Sequence, residues 1–219
     1  MSSRNDEQKP RTSKVLRRVE IGLWTTAAVF LGLYLGALAE AELIQAFEGE
    51  RLDQARARLT LDRADAAPAT AADAVDAEGI TPPLVWDVAG GDVIGRILIE
   101  DAGVEAIVLE GDDDTTLRRA VGHLPHTALP GEGGNVGLAG HRDSFFRGLR
   151  KVQKGQRIDL ETPHGTFAYR VESVQVVEPE DTWVLDDGER EMLTLVTCYP
   201  FHHFGNAPRR FVVQAERLS

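Results

Sequence analysis

The run Ile21–Ala39 carries no charge over 19 residues, close to the ~20 apolar residues a helix needs to cross a bilayer. Arg4, Lys9, Arg11, Lys14, Arg17 and Arg18 precede it, against Asp6, Glu7 and Glu20, while Glu40 and Glu42 follow. The excess of Lys and Arg on the N-terminal side predicts a cytoplasmic N-terminus and an extracytoplasmic remainder. Ala37-Leu38-Ala39 offers a signal-peptidase-like site, but the apolar run exceeds the ~7–15 residues of a signal-peptide core, which favours an uncleaved anchor. The pair Gly32 and Gly36 has the GxxxG spacing of helix dimers, a weak signal because glycine is common in membrane helices.

The remainder reads as a stalk followed by one domain. Leu43, Phe47, Leu52 and Leu59 recur at helical spacing among charges, so a short helix or stalk is predicted there. Residues 64–77 are small and acidic with little to bury, which reads as a spacer. The expected organisation is therefore a basic cytoplasmic tail over 1–19, a transmembrane anchor over 20–40, a stalk over 41–83 and a folded domain over 84–219. Net charge is −11, the opposite of the basic footprint of a nucleic-acid binder.

Within the domain, short β-branched segments alternate with Gly, Pro and Asp. Strands are predicted at Val93–Ile99, Val104–Leu109, Asn135–Gly140, Arg157–Glu161, Thr166–Val177, Met192–Cys198 and Phe211–Glu216. Two short helices are predicted, Thr115–Val121 with Thr115 as N-cap, and Ser144–Val152. Alternating βαβ units are not expected. A mainly all-β fold, closed into a barrel so that no edge is left open, fits this pattern.

The chain has one cysteine, which excludes an internal disulfide framework and zinc sites built on several cysteines. Cys198 ends the run Leu193–Cys198 and is followed by Tyr199-Pro200, so the side chain is expected at a strand end, near a rim. A lone cysteine is often a small buried hydrophobe; in an exported chain it is equally a candidate reactive thiol. A thiol nucleophile needs a proton partner and an oxyanion stabiliser. Of six histidines, His164 sits in a hairpin-like turn, His123 and His126 in an expected loop, and His202 and His203 just after the cysteine. His141 ends the small-residue strand Val136–Gly140, where Gly137 and Gly140 permit close approach. Arg209 and Arg210 open the last strand; alternation puts Arg210, Val212 and Gln214 on one face and Arg209, Phe211 and Val213 on the other.

Leu138–His141, Thr194–Cys198 and Arg210–Val213 together resemble the three motifs of sortases, membrane-anchored cysteine transpeptidases of bacterial surfaces. The wording of Gly140–Leu149 and Thr197–Phe201 is most similar to class D, and the resemblance covers about Gly91–Leu218. It implies a closed eight-stranded β-barrel. It implies Cys198 as nucleophile, His141 as general acid/base and Arg210 as stabiliser of the tetrahedral intermediate, with Arg209 as the neighbouring candidate. By the same resemblance Ala139, Thr194 and Val196 line the groove for the sorting peptide. The loop Val177–Glu191, with Trp183, Val184 and Leu185, shapes specificity.

The activity so implied is cleavage of an LPxTG-like sorting motif after Thr through a Cys thioester, with transfer to an amine acceptor, a cell-wall peptide or a pilin lysine. The implied partners are surface proteins bearing sorting signals, and the location is the cell membrane with an extracytoplasmic catalytic domain. Cys198 ends a strand and does not begin a helix, so no helix dipole favours its thiolate, and the thiolate–imidazolium pair is expected to be a minor population. A papain-like order, with Cys before His, is reversed here, and neither a QAC signature nor a Ser-His-Gly-Cys neighbourhood is present.

The alternative is a non-catalytic tethered β-domain that binds a partner or metal through its acidic surface. Glu110, Asp112, Asp113 and Asp114 cluster but lack EF-hand spacing, so no metal ligands and no cofactor are assigned, and calcium or magnesium stimulation has no support in the residues.

Overall fold

The computed structural model describes residues 12–65, 86–202, 205 and 207–218. The basic tail up to residue 11, most of the acidic spacer and His203 lie outside the described residues. The chain divides into two units, Met1–Glu42 and Leu43–Ser219. The first unit contains Leu16–Gly36, 21 residues of helix long and apolar enough to cross a membrane, with every residue exposed. These residues belong to α1, Thr12–Asp65.

The second unit is a closed barrel. Its strands are β1 (Val93–Ile99), β2 (Val104–Glu110), β3 (Val121–His123), β4 (Asn135–Ala139), β5 (Arg157–Thr162), β6 (Gly165–Val177), β7 (Met192–Tyr199) and β8 (Arg209–Arg217). They close in the order β1-β2-β3-β4-β7-β8-β6-β5. Alternation along each strand sends one side chain in two to the interior. Val136, Leu138, Ile97, Ile158, Leu160, Tyr169, Val171, Leu193, Leu195, Val213 and Ala215 form that core, all essentially buried.

Seven of these strands match the sequence pattern to within two residues at each end. The eighth, β3, is three residues long, too short to show a period. It takes in His123, which was expected in a loop. β3 runs parallel to β2 with Val108 opposite Val121, and the crossover that parallel pairing requires is α2, Asp114–Arg119. A single short βαβ unit therefore exists where none was expected. The cap of α2 is Asp113, not Thr115: its carboxylate accepts from the amides of Thr115 and Thr116 and from the Thr116 hydroxyl. Those bonds hold the Asp113 carboxyl below its ordinary value, the Thr116 hydroxyl contributing most. The expected helix over 144–152 is a turn followed by a 3-10 segment, Arg147–Lys151.

Residues 43–65, expected as part of a stalk, are helical, and side chains between Gln45 and Arg56 meet the barrel wall. Leu52, 1% exposed, joins Ile107, Leu109 and Ala120 in a small cluster. Gln45 ties the helix to β2, accepting from the Ile107 amide at 2.8 Å and donating to the Arg119 carbonyl at 2.7 Å. Arg96 on β1 faces Asp53 and Glu161, and Arg56 faces Glu161 at 3.0 Å. Leu43 and Phe47 stay exposed, and the Leu59 side chain lies outside the described residues.

One parallel contact and one antiparallel contact fix the functional rim. β4 and β7 run parallel, with Ala139 opposite Val196, so their C-terminal ends share one edge of the barrel. β8 is antiparallel to β7, so its beginning lies at that same edge.

Candidate active site

Cys198 is the second-last residue of β7 and Arg210 the second of β8, and the two are paired in register. On the other side of β7, the Gly140 amide donates to the Val196 carbonyl at 3.2 Å. The buried Thr197 hydroxyl donates to the Gly140 carbonyl at 2.6 Å. These bonds carry the β4–β7 pairing one residue beyond the ladder and deliver His141, the next residue, level with Cys198. The ring of Phe146 lies on Gly140 so closely that a Cβ there would come within 2.8 Å of it, and the Phe146 amide donates to the His141 carbonyl at 3.0 Å. His141 is thus held from both sides by its backbone.

Alternation decides which way the thiol points. Leu193, Leu195 and Thr197 face inward, so Thr194, Val196 and Cys198 lie on the outer face with Gln214, Val212 and Arg210 opposite. That outer face is covered in part by the segment between β6 and β7, whose 3-10 turn Thr182–Leu185 packs Val184 against Val177 and Val212. What remains open is a cleft of about 390 Å³. Its floor is Val196, Cys198, Arg210 and Val212; Ala139, Gly140 and His141 form one side and Val177, Val184 and Leu185 another. Leu117, Leu124 and the carboxylates of Asp112, Glu178 and Asp181 complete it. An apolar trough with a thiol, an imidazole and a guanidinium at one end is suited to an extended peptide whose carbonyl is attacked at that end.

A sortase-domain family model matches residues 97–218. The chain belongs to the sortase family. It resembles class D within that family: over 130 residues it is 35% identical to Sortase D of Bacillus subtilis (strain 168), a match covering 59% of this chain and 66% of that protein. The chain thus spans just under two thirds of that relative. Among solved structures, a Sortase D5 transpeptidase of Clostridium perfringens superposes with a TM-score of 0.56 at 33% identity, covering 61% of this chain and 83% of that one. A Clostridium perfringens sortase C, solved with the C-terminal cell wall sorting motif, superposes with a TM-score of 0.56 at 28% identity, covering 61% and 74%.

The two adjacent arginines of this sortase are placed apart. Arg210 lines the cleft, where its Nη1 donates to the carbonyls of Ala207 and Arg209. Arg209 is exposed and stacks over the Tyr199 ring, 5.3 Å from its centroid. Ala139, Val196, Val184 and Leu185 line the cleft as the motif resemblance implies, and two residues do not. Trp183 is 53% exposed and lies off the cleft lining. Thr194 is 0% exposed, beneath the β6–β7 segment, where its hydroxyl meets Asn135 Oδ1 at 2.8 Å.

The remaining histidines have other settings. His123 is 2% exposed, with Nδ1 2.6 Å from Glu110 and Nε2 3.0 Å from the Ala128 carbonyl. His164 packs edge-on against Trp86 in the β5–β6 turn. His126 and His202 are exposed. The acidic cluster is largely engaged as well, Glu110 by His123 and Asp113 by α2. Among the described residues no group of three or more His, Cys, Asp or Glu is placed to hold a metal.

Two residues that the motifs do not single out hold the β6–β7 segment in place: Asn135, which opens β4, and Gln214 on β8, both donating to the Val184 carbonyl. Asn135 is the one polar residue of β4, whose other residues are small or apolar, and that mismatch with the pattern is the signal it carries in the sequence.

Proposed function

We propose that this chain is a membrane-anchored sortase that cleaves an LPxTG-like motif after Thr and transfers the acyl group to an amine. The observation that carries this reading is the convergence of Cys198, His141 and Arg210 at one end of an apolar cleft. The Cys198 thiolate attacks the Thr carbonyl carbon, and the developing oxyanion is met by the Arg210 guanidinium, whose charge is permanent. As the C–N bond breaks, protonated His141 gives its proton to the leaving amine, and a thioester remains. An acceptor amine then attacks the thioester, neutral His141 takes its proton, and the thiolate departs.

Surface proteins bearing sorting signals are the donor class, and a cell-wall peptide or a pilin lysine supplies the amine. The helix Leu16–Gly36 serves as the anchor, with the N-terminus cytoplasmic and the barrel outside the cell. No step calls on a metal, so a chelator is expected to leave the rate unchanged.

The test uses the full chain in detergent with a series of LPxTG-like peptides and a primary-amine acceptor. Intact-mass spectrometry should find a thioester adduct on the wild type and none on Cys198→Ala, with transfer product appearing when amine is added. A chain that forms no adduct across the series while binding the peptides is a tethered binding module instead.

A further inference from the structure

The Val184 carbonyl is the point at which side chains of two barrel strands meet the β6–β7 segment. Asn135 Nδ2 on β4 donates to it at 3.1 Å, and Gln214 Nε2 on β8 donates at 3.2 Å. A carbonyl oxygen has two lone pairs, so these two amides saturate it.

Each amide is itself oriented by donors on its oxygen. Thr194 has one O–H and lies 2.8 Å from Asn135 Oδ1 and 3.3 Å from the Val184 carbonyl. Its proton goes to the nearer acceptor, which leaves Asn135 no choice but to turn its NH₂ toward Val184 and the Asp186 carbonyl at 3.3 Å. On the other side, Ser173 Oγ and Gln175 Nε2 both donate to Gln214 Oε1 at 3.2 Å, and this aims its NH₂ at the same carbonyl. The Asn135 amide donates to Asp187 at 2.9 Å, so the segment is held just beyond the turn as well. Val184 and Leu185, the residues on either side of that carbonyl's peptide bond, face the cleft.

We propose that Asn135, Thr194 and Gln214 are positioning residues that clamp the Val184 carbonyl and so pre-form the Val184–Leu185 wall of the peptide cleft, setting substrate affinity and not the rate of bond breaking. The proposal deepens the transpeptidase reading and rests on it for its kinetic consequence. Its physical basis is that a buried polar network fully satisfied in one arrangement rigidifies that arrangement, whereas one missing donor leaves an acceptor unpaired. Peptide binding then pays no ordering cost for the wall.

The experiment compares wild type with Thr194→Val, Thr194→Ser and Gln214→Met, all as full chains in detergent. Amide hydrogen exchange is read over 182–187, and single-turnover acylation is read with the best LPxTG-like peptide. Thr194→Val and Gln214→Met should speed exchange in that segment and raise the half-saturating peptide concentration by roughly 3- to 10-fold, the effect of one neutral buried hydrogen bond. The acylation rate at saturation should stay within about twofold, and Thr194→Ser, which keeps the donor, should match the wild type on both readouts. Gln214 is only half-buried, so its variant keeps the test intact if Thr194→Val does not fold. Unchanged exchange over 182–187, or a slower saturated rate with half-saturation unmoved, overturns the clamp. If the wild type forms no acyl-enzyme, the transpeptidase reading fails, and the exchange data still decide whether the clamp exists.

Discussion

Cys198 and Arg210 are direct cross-strand partners on β7 and β8, both on the outer face of the barrel. Directly opposed side chains lie within reach of each other, and both residues line the same cleft. Arg209, one residue earlier, alternates to the other face and stacks on Tyr199.

This pairing separates the two arginines functionally. Arg210→Ala should lower the saturated acylation rate by about 10²–10³, the scale of losing one oxyanion donor. Arg209→Ala, which removes an exposed stacking contact, should stay within about threefold. Single-turnover intact-mass measurements on the two variants distinguish them; equal losses would contradict the assignment.

Gly140 has no room for a side chain. A Cβ would lie 2.8 Å from the Phe146 ring, so Gly140→Ala forces either the ring or the His141 backbone to move, at a cost of about 1–3 kcal/mol. Both melting temperature and acylation should fall. Gly188→Ala is the control, since nothing lies within 4 Å of a Cβ there, and it should change neither.

The helix over residues 43–65 belongs to the stability of the barrel unit. Leu52→Ala removes a side chain 1% exposed from the cluster with Ile107, Leu109 and Ala120, and should destabilise the chain by about 2–5 kcal/mol. Denaturant titration of the full chain measures it. A change below about 0.5 kcal/mol, the scale of a surface substitution, would show that the contact contributes nothing.

Tyr169 sets an alkaline limit. Burial raises its phenol above the ordinary 10.0, with the Arg217 charge opposing. A raised folded value means the contribution is fully present below pH 10.0 and is lost as pH climbs from there toward the folded value, because only the unfolded chain ionises in that interval. Melting temperature should therefore drop more steeply between pH 9 and 11 in the wild type than in Tyr169→Phe. Parallel slopes would refute it.

Asp113 acts at the opposite end of the pH scale. Its carboxyl is held below 3.8 by the Thr115 and Thr116 donors, so its contribution is present above that value and is lost as pH falls through the folded one. Asp113→Ala should lower the melting temperature at pH 7, and the gap to the wild type should narrow as pH falls below 3.8.

Much of the molecule was legible in the residues because the relevant physics is local. Period-two alternation located seven strands, and it also assigned Arg210, Val212 and Gln214 to one face, as the β7–β8 register has them. Elements too short to show a period escaped it. Three-residue β3 and its parallel pairing through α2 depend on contacts with β2 and β4. The Asp113 cap was displaced by two residues because Asp113, Asp114 and Thr115 all have capping side chains, and only the backbone turn selects among them. Thr194 shows a different limit: its position in the motif marks its importance, but whether it touches a peptide or a neighbouring amide depends on what covers β7.

The sequence by itself determined an apolar span, a β-rich domain and three chemically matched residues, because composition, alternation and motif spacing are properties of the chain. The tertiary structure decided the rest. Parallel pairing of β4 with β7 brings His141 to Cys198 across 57 positions, antiparallel pairing of β8 adds Arg210, and the Val184 carbonyl binds the cleft wall to β4 and β8. Hydrogen bonds between distant segments form only where burial and closure of the barrel bring their donors and acceptors together, and no local pattern encodes that meeting.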